Sequence, residues 1–257
     1  VEHGGTPIGL DLVAHTRKLR EDLDRFIPDE NFDGLAVLNY ETRPVIWKKL
    51  GEDYRDVVRG KIRAARPGLD AEEIDELSEL AYDEAAKRYL RTTLQFCKRL
   101  RPRAKWGSYF FPGGTYELED YGWVADACDV MMPSIYPFKK SVSGVPQNSD
   151  QAPASVFSNG VVRKMRLSEE FAGEKKVYAF VSPLYHDGNP RYRGTPITDE
   201  DARSIILRPE EEGVDGLIFW LHTNSRETAE LREEQLRRLE PMLHEAQRRR
   251  AERIAGD

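Results

Sequence analysis

Residues 32–47 read FDGLAVLNYETRPVIW. The apolar run 35–38 ends in Asn39-Tyr40-Glu41, and Arg43-Pro44 stop it. Leu, Ala and Val ahead of a proline-marked turn predict a buried strand of an α/β protein rather than a helix. Strand side chains alternate, so Asn39 and Glu41 point one way and Tyr40 the other. An amide and a carboxyl together at the C-terminal end of a strand occupy the position where α/β barrels place catalytic groups. The same residue types are also ordinary solvated turn residues, and the pair by itself leaves both readings open.

Working outward, Leu12, Thr16, Leu19, Leu23, Phe26 and Ile27 recur at helical spacing, and Pro28 ends that helix. Residues 52–65 predict a second helix closed by Arg66-Pro67-Gly68, and 70–100 a long third one. The acidic run 70–79 and the late Arg99, Arg101 and Arg103 both suit the dipole of that helix. Strands follow at 105–111, 128–136, 175–185 and 214–222, with PGGTYELEDYG (112–122), 137–150 and HDGNPRYRGTP (186–196) as loops. Further helices are expected over 155–171, from 199 with Thr198 as cap, and over 226–254. Five strands separated mostly by helices predict βα units and a parallel sheet, in one domain over 1–257. The strand ends carry Asn39, Glu41, Tyr109, Tyr136, Tyr185 and Trp220. Aromatic rings beside a carboxyl are the usual lining of a sugar site, since apolar sugar faces stack on rings while hydroxyls need polar partners. Any one of these rings can equally be core packing.

Composition narrows the partners. Hydrophobic residues at 39% and charged residues at 33% suit a globular chain with well-solvated helices. A net charge of -6 and a pI near 5.6 argue against nucleic acid or an anionic membrane as partner. No apolar stretch approaches a membrane span, and none reads as a signal peptide. Cys97 in a helical pattern and Cys128 at the start of an apolar strand predict two buried free thiols. The apolar setting of Cys128 disfavours a thiolate nucleophile. There is no GxSxG, P-loop, GxGxxG or HExxH, and the five histidines lack ligand spacing. His186-Asp187 reads as a surface turn ahead of a metal site. No metal and no cofactor are expected.

FDGLAVLNYETRPVIW resembles the catalytic strand of the hyaluronidase-type glycoside hydrolases, which carry a D-x-E pair in this setting. The likeness continues through LRTTLQFCKRLRPRAKWGSYFFPGG, whose LRP turn and WGxYxFP strand follow the family pattern. MMPSIY resembles its PSIY segment, VDGLIFW its GxxxW strand, and HGGTPIGLDLVAHTRKL its GGVPQ loop and following helix. The resemblance covers nearly the whole chain in order. It implies a distorted or incomplete (β/α) TIM-type barrel of parallel strands. The implied activity is cleavage of β-linked N-acetylhexosamine in hyaluronan or chondroitin with retention, the substrate's own acetamido oxygen acting as nucleophile. The implied partner is an N-acetylated glycan, with oligomeric state undetermined. The resemblance implies a secreted or lysosomal protein, whereas the missing disulfide framework is compatible with the cytoplasm.

Under this resemblance Glu41 falls on the general acid, and Tyr109 and Tyr136 on tyrosines lining the cleft. Trp220 falls on the tryptophan walling the acetamido pocket, expected beside Asn39 and Glu41. Tyr185 and Arg43 complete the expected substrate-binding set. Asn39 departs from the family, standing where it has an aspartate that holds and polarises the acetamido group. Phe180 stands where some members have another tyrosine. The family's cysteines near WGxYxFP are missing, and so is one residue between Glu41 and Arg43-Pro44. The sequence starts at the GGxP loop, which implies a smaller or open barrel, or a shortened protein. A separate family of endo-β-N-acetylglucosaminidases resembles the N-x-E arrangement and is active. Three readings therefore stand: an endo-acting hexosaminidase, a silenced relative that still binds glycan, and a barrel scaffold for a protein partner.

Overall fold

The computed structural model describes residues 6–40, 44–109, 118–137, 140–141, 151–152, 173–186, 188–189, 191–220 and 229–256. The chain divides into two compact units, one built on described residues before Val130 and the other on Val130 and those after it. Glu41, Arg43, Asp187 and the expected helix over 155–171 lie outside the described residues.

The first unit runs α1 (Leu12–Phe26), β1 (Leu35–Leu38), a 3₁₀ turn (Trp47–Lys49), α2 (Glu52–Ala65), α3 (Ala71–Leu100), β2 (Lys105–Ser108) and α4 (Leu118–Ala127). Local chemistry sets the helix starts. The Asp11 carboxylate accepts from the Val13 and Ala14 amides at 2.9 and 3.0 Å. Asp70 and Glu73 form a reciprocal capping box at the head of α3. Strands β1 and β2 pair in parallel, with Leu35 opposite Lys105 and Leu38 opposite Ser108. Asp129 fixes the start of β2: its carboxylate accepts from the Trp106 amide at 3.0 Å and pairs with Lys98 at 2.7 Å. Cys97 and Cys128 are both buried and unbridged, and burial pushes the Cys97 thiol up to about 12.

The LRP turn is held from within. Arg101, only 2% exposed, sends its guanidinium back over the C-terminus of α1. Nε donates to the Ile27 carbonyl at 2.6 Å, Nη1 to the Leu100 carbonyl at 2.9 Å, and Nη2 meets Asp24 at 3.0 Å. Its own carbonyl accepts from the Trp106 indole N–H at 3.3 Å. The two halves of the LRP…WGxY motif are thus bonded to each other.

The second unit runs β3 (Val130–Met131), β4 (Lys140–Ser141), β5 (Gln151–Ala152), β6 (Lys176–Val181), α5 (Asp199–Glu211), β7 (Gly216–Phe219) and α6 (Ala229–Gly256). The sheet order is β3–β6–β7, all parallel, and β4 pairs in parallel with β5. Asp215 repeats the role of Asp129, accepting from the Val177 amide at 2.9 Å as β7 begins. Gly216 lies opposite Tyr178, and a Cβ there would approach the tyrosine ring to 3.0 Å. A side chain at Gly216 would therefore require the Tyr178 ring to give by a few tenths of an ångström. Thr198 caps α5 as the sequence predicts, accepting from the Asp201 amide at 3.2 Å. The fold is mixed α/β, with small parallel sheets that do not close into a barrel among the described residues. No described helix is long and apolar enough to cross a membrane.

Three expectations need correction. The stretch 137–150, read as loop, carries β4 at Lys140–Ser141, where backbone pairing with β5 and not side-chain pattern makes the strand. Residues 118–122, read as the end of a loop, open helix α4. Pro112 and the Gly113-Gly114 pair suggested loop throughout, and Gly122 inside a helix costs about 1 kcal/mol relative to alanine. Burial of Trp123, Val124 and Ala125 offsets that cost. The strand expected over 128–136 is regular only at Val130–Met131; beyond it the chain stays alongside β6 through a Ser134–Phe180 bridge.

Candidate functional site

The described candidate residues sit at C-terminal strand ends, in two groups. In the first unit the ladder of β1 and β2 continues one bond past the strands, with the Tyr109 amide donating to the Leu38 carbonyl at 3.2 Å. Asn39 and Tyr109 therefore leave adjoining strands at the same level. Ala36 is 3% exposed, whereas Leu35 and Val37 are 36% and 37% exposed. Alternation assigns exposed Asn39 to the more open of these faces. The residues flanking positions 41–43 are anchored on α3. The Tyr40 ring lies 5.4 Å from that of Tyr89. After the turn, the Tyr82 hydroxyl donates to the Pro44 carbonyl at 2.6 Å, and Asp83 accepts from the Trp47 amide at 2.7 Å.

In the second unit Tyr136, Tyr185 and Trp220 follow three neighbouring parallel strands. The Ile135 amide donates to the Phe180 carbonyl at 2.9 Å, which brings the PSIY segment beside the end of β6. Tyr136 is buried, and its ring stacks on His186 at 5.8 Å with 22° between planes. Trp220 is placed by its amide, which donates to the Val181 carbonyl at 2.8 Å. Its ring meets the edge of Phe180 at 6.4 Å yet stays 43% exposed. A large aromatic left this open at a strand end is a surface for stacking an apolar ligand face.

Tyr185 is engaged differently. Its hydroxyl is directed into the protein, donating to the fully buried Asp201 and accepting from the Thr198 amide at 3.3 Å. Burial, then the hydrogen bond and charge of Asp201, raise the phenol above its ordinary value of 10.0. A folded-state pKa above the unfolded one means the bond contributes its full stability below about pH 10. That contribution is lost as pH rises through the folded value. Tyr185→Phe is expected to lower the melting temperature of the second unit at pH 7, with the difference from the parent shrinking in alkaline buffer. Melting curves followed by circular dichroism from pH 7 to 11 check this.

Comparisons with known proteins bear on this arrangement. The family model described as Hyaluronidase matches residues 1–119. The chain is 24% identical over 239 residues to a hyaluronidase of Apis mellifera, covering 85% of this chain and 59% of that one. It is 27% identical over 238 residues to a hyaluronidase of Tabanus yao, covering 85% and 65%. A crystal structure of bee venom hyaluronidase superposes with a TM-score of 0.80 at 21% identity, covering 94% of this chain and 81% of that one. The chain is hyaluronidase-like in sequence and in fold. A second structure, bee venom hyaluronidase in complex with a hyaluronic acid tetramer, gives a TM-score of 0.79 over 95% of this chain and 78% of that one. The chain spans roughly half to two thirds of the length of the curated relatives it matches.

Within this hyaluronidase-like frame, the sequence reading missed the side chains that hold the candidates in place. Tyr82 and Asp83 lie mid-helix, where their spacing reads only as one more turn of α3. Asp201 lies among acidic residues suited to a helix N-terminus. His186 was noticed, but for its neighbour Asp187 rather than for Tyr136. No local signal marks any of these four roles, because each depends on a partner distant in sequence.

Proposed function

We propose that this chain is a retaining endo-β-N-acetylhexosaminidase acting on hyaluronan- or chondroitin-like glycans by substrate assistance. Glu41 protonates the leaving glycosidic oxygen while the acetamido oxygen attacks the anomeric carbon. The resulting oxazolinium ring is opened by a water that Glu41, now a carboxylate, deprotonates. Asn39 accepts the acetamido N–H through its side-chain carbonyl and so aims the nucleophilic oxygen. Trp220 offers its ring to the acetamido methyl, and Tyr109, Tyr136 and Arg43 contribute to substrate binding; Tyr185, expected in the same set, is buried with its hydroxyl on Asp201 and supports the site from behind. The supporting observation is the pairing of β1 with β2, which sets Asn39 and Tyr109 at adjoining C-terminal strand ends, two residues ahead of Glu41. The relatives' hyaluronidase names and the tetramer-bound structure agree with this substrate class.

Asn39 favours one alternative, a silenced relative that binds glycan without cleaving it. A neutral amide stabilises the positive charge of an oxazolinium only weakly beside a carboxylate. Turnover of hyaluronan and chondroitin oligosaccharides, measured with their binding by calorimetry, separates the two. Turnover supports the enzyme, binding without turnover supports the silenced relative, and the absence of both removes the glycan reading. Trp220→Ala is expected to weaken binding of N-acetylated oligosaccharides about tenfold, within the 1–3 kcal/mol scale of aromatic stacking on a ring. Binding of the deacetylated forms should fall less. Equal losses for both would remove the acetamido role.

A further inference from the structure

His186 takes no part in the proposed chemistry, yet it is held from several directions. Its amide donates to the Pro137 carbonyl at 3.1 Å, which ties it to the residue immediately after Tyr136. Its carbonyl accepts from the Asn189 amide at 2.8 Å. Its ring Nδ1 accepts from the Gly188 amide at 2.9 Å, which fixes the rotation of the imidazole. The plane so fixed lies within 22° of the Tyr136 ring, at 5.8 Å between centroids.

The segment carrying this ring is itself built rather than loose. Leu184 bridges Pro196 in antiparallel sense, and the Tyr185 amide and carbonyl bond Thr195 and Gly194, each at 3.0 Å. The Asn189 side chain, on a residue 1% exposed, accepts from the Arg191 and Tyr192 amides at 2.9 and 2.7 Å. Buried Asp201 takes the Tyr185 hydroxyl, fastening the base of the segment to α5. A preorganised segment of this kind delivers one ring at a set angle without ordering cost at binding.

We propose that His186 is a positioning residue for glycan recognition, acting through Tyr136: it fixes the plane of the tyrosine ring, so that the wall this ring forms keeps one orientation toward the sugar. The inference rests on the glycan-binding reading of Tyr136. It requires the shape and plane of the ring at position 186, and no protonation of it.

The test is a double-mutant cycle read by calorimetry with a hyaluronan tetrasaccharide, with melting curves taken alongside. Loss of the stacked ring should raise Kd about fivefold in His186→Ala, which converts to about 1 kcal/mol. His186→Phe restores a flat ring without the imidazole nitrogens and should bind within about twofold of the parent. In a Tyr136→Ala background, adding His186→Ala should change Kd no further, since the two residues act as one unit. Losses that add in the double variant would show His186 acting on its own, and would overturn the proposal while leaving glycan binding intact. Phenylalanine binding as weakly as alanine at position 186 would overturn it equally. A parent that binds no tetrasaccharide removes the glycan reading, and this inference with it.

Discussion

Glu41→Gln is expected to reduce turnover of hyaluronan and chondroitin oligosaccharides by about 10²–10⁴-fold, the usual contribution of a positioned general acid. Binding should change little, because the amide keeps the size and hydrogen-bonding shape of the acid. The companion variant is Asn39→Asp, which should raise the rate and extend it to higher pH. The sign follows from the state Glu41 must occupy. It donates only while protonated, so the rate falls on the alkaline side as Glu41 ionises. A carboxylate introduced two residues back in the chain would oppose that ionisation and raise the pKa of Glu41. With neutral Asn39 the opposition is missing, so the parent should work best in mildly acidic solution. Asn39→Asp should move the alkaline limb upward by on the order of one pH unit. Rate against pH for the three proteins is the measurement. Glu41→Gln turning over as fast as the parent would remove Glu41 from the mechanism.

Arg101→Ala should be the most damaging change to stability among the described charged residues. The guanidinium is 2% exposed and serves carbonyls at the ends of two helices. Hydrogen bonds from a charged donor contribute about 1.5–3 kcal/mol each. Truncation also removes the packed stem of the side chain. A net loss of about 3 kcal/mol is expected, or roughly 6–12 °C in melting temperature for a chain of this size. Arg101→Lys should recover only part of it, because an ammonium cannot reproduce the planar fork. Asp24 also pairs with Arg101, but from a position 59% exposed, so Asp24→Asn should shift melting far less. Comparable shifts for Asp24→Asn and Arg101→Ala would mean that the exposed ion pair, not the buried carbonyl contacts, carries the stabilisation.

Much of the architecture was legible along the chain because it rests on local chemistry. Asp11, Asp70 and Thr198 cap helices by bonding amides two or three residues away, and such bonds show directly as spacing. The strand at 35–38 shows as a short apolar run, and its parallel partner as a second run after an intervening long helix. Two buried, unbridged cysteines followed from their apolar neighbours. Helix α4 was not legible, since its glycine-rich approach argues for loop and only the burial of Trp123 and Val124 makes it a helix.

The candidate site divides in the same way. Residue types at strand ends, Asn39, Tyr109, Tyr136, Tyr185 and Trp220, came from the sequence, because strand period and turn signals place them; Glu41, expected beside them, lies outside the described residues. What each side chain does once there came only from tertiary structure. The sequence presents Tyr136 and Tyr185 as equivalent strand-end tyrosines. In the folded chain Tyr136 stacks on His186, fifty residues away, while the Tyr185 hydroxyl is bonded to a carboxylate buried under α5. Hydrogen bonds and ring contacts are decided by distance in space. A pattern along the chain reports only the contacts that chain geometry forces to be local, and neither His186–Tyr136 nor Arg101–Ile27 is of that kind.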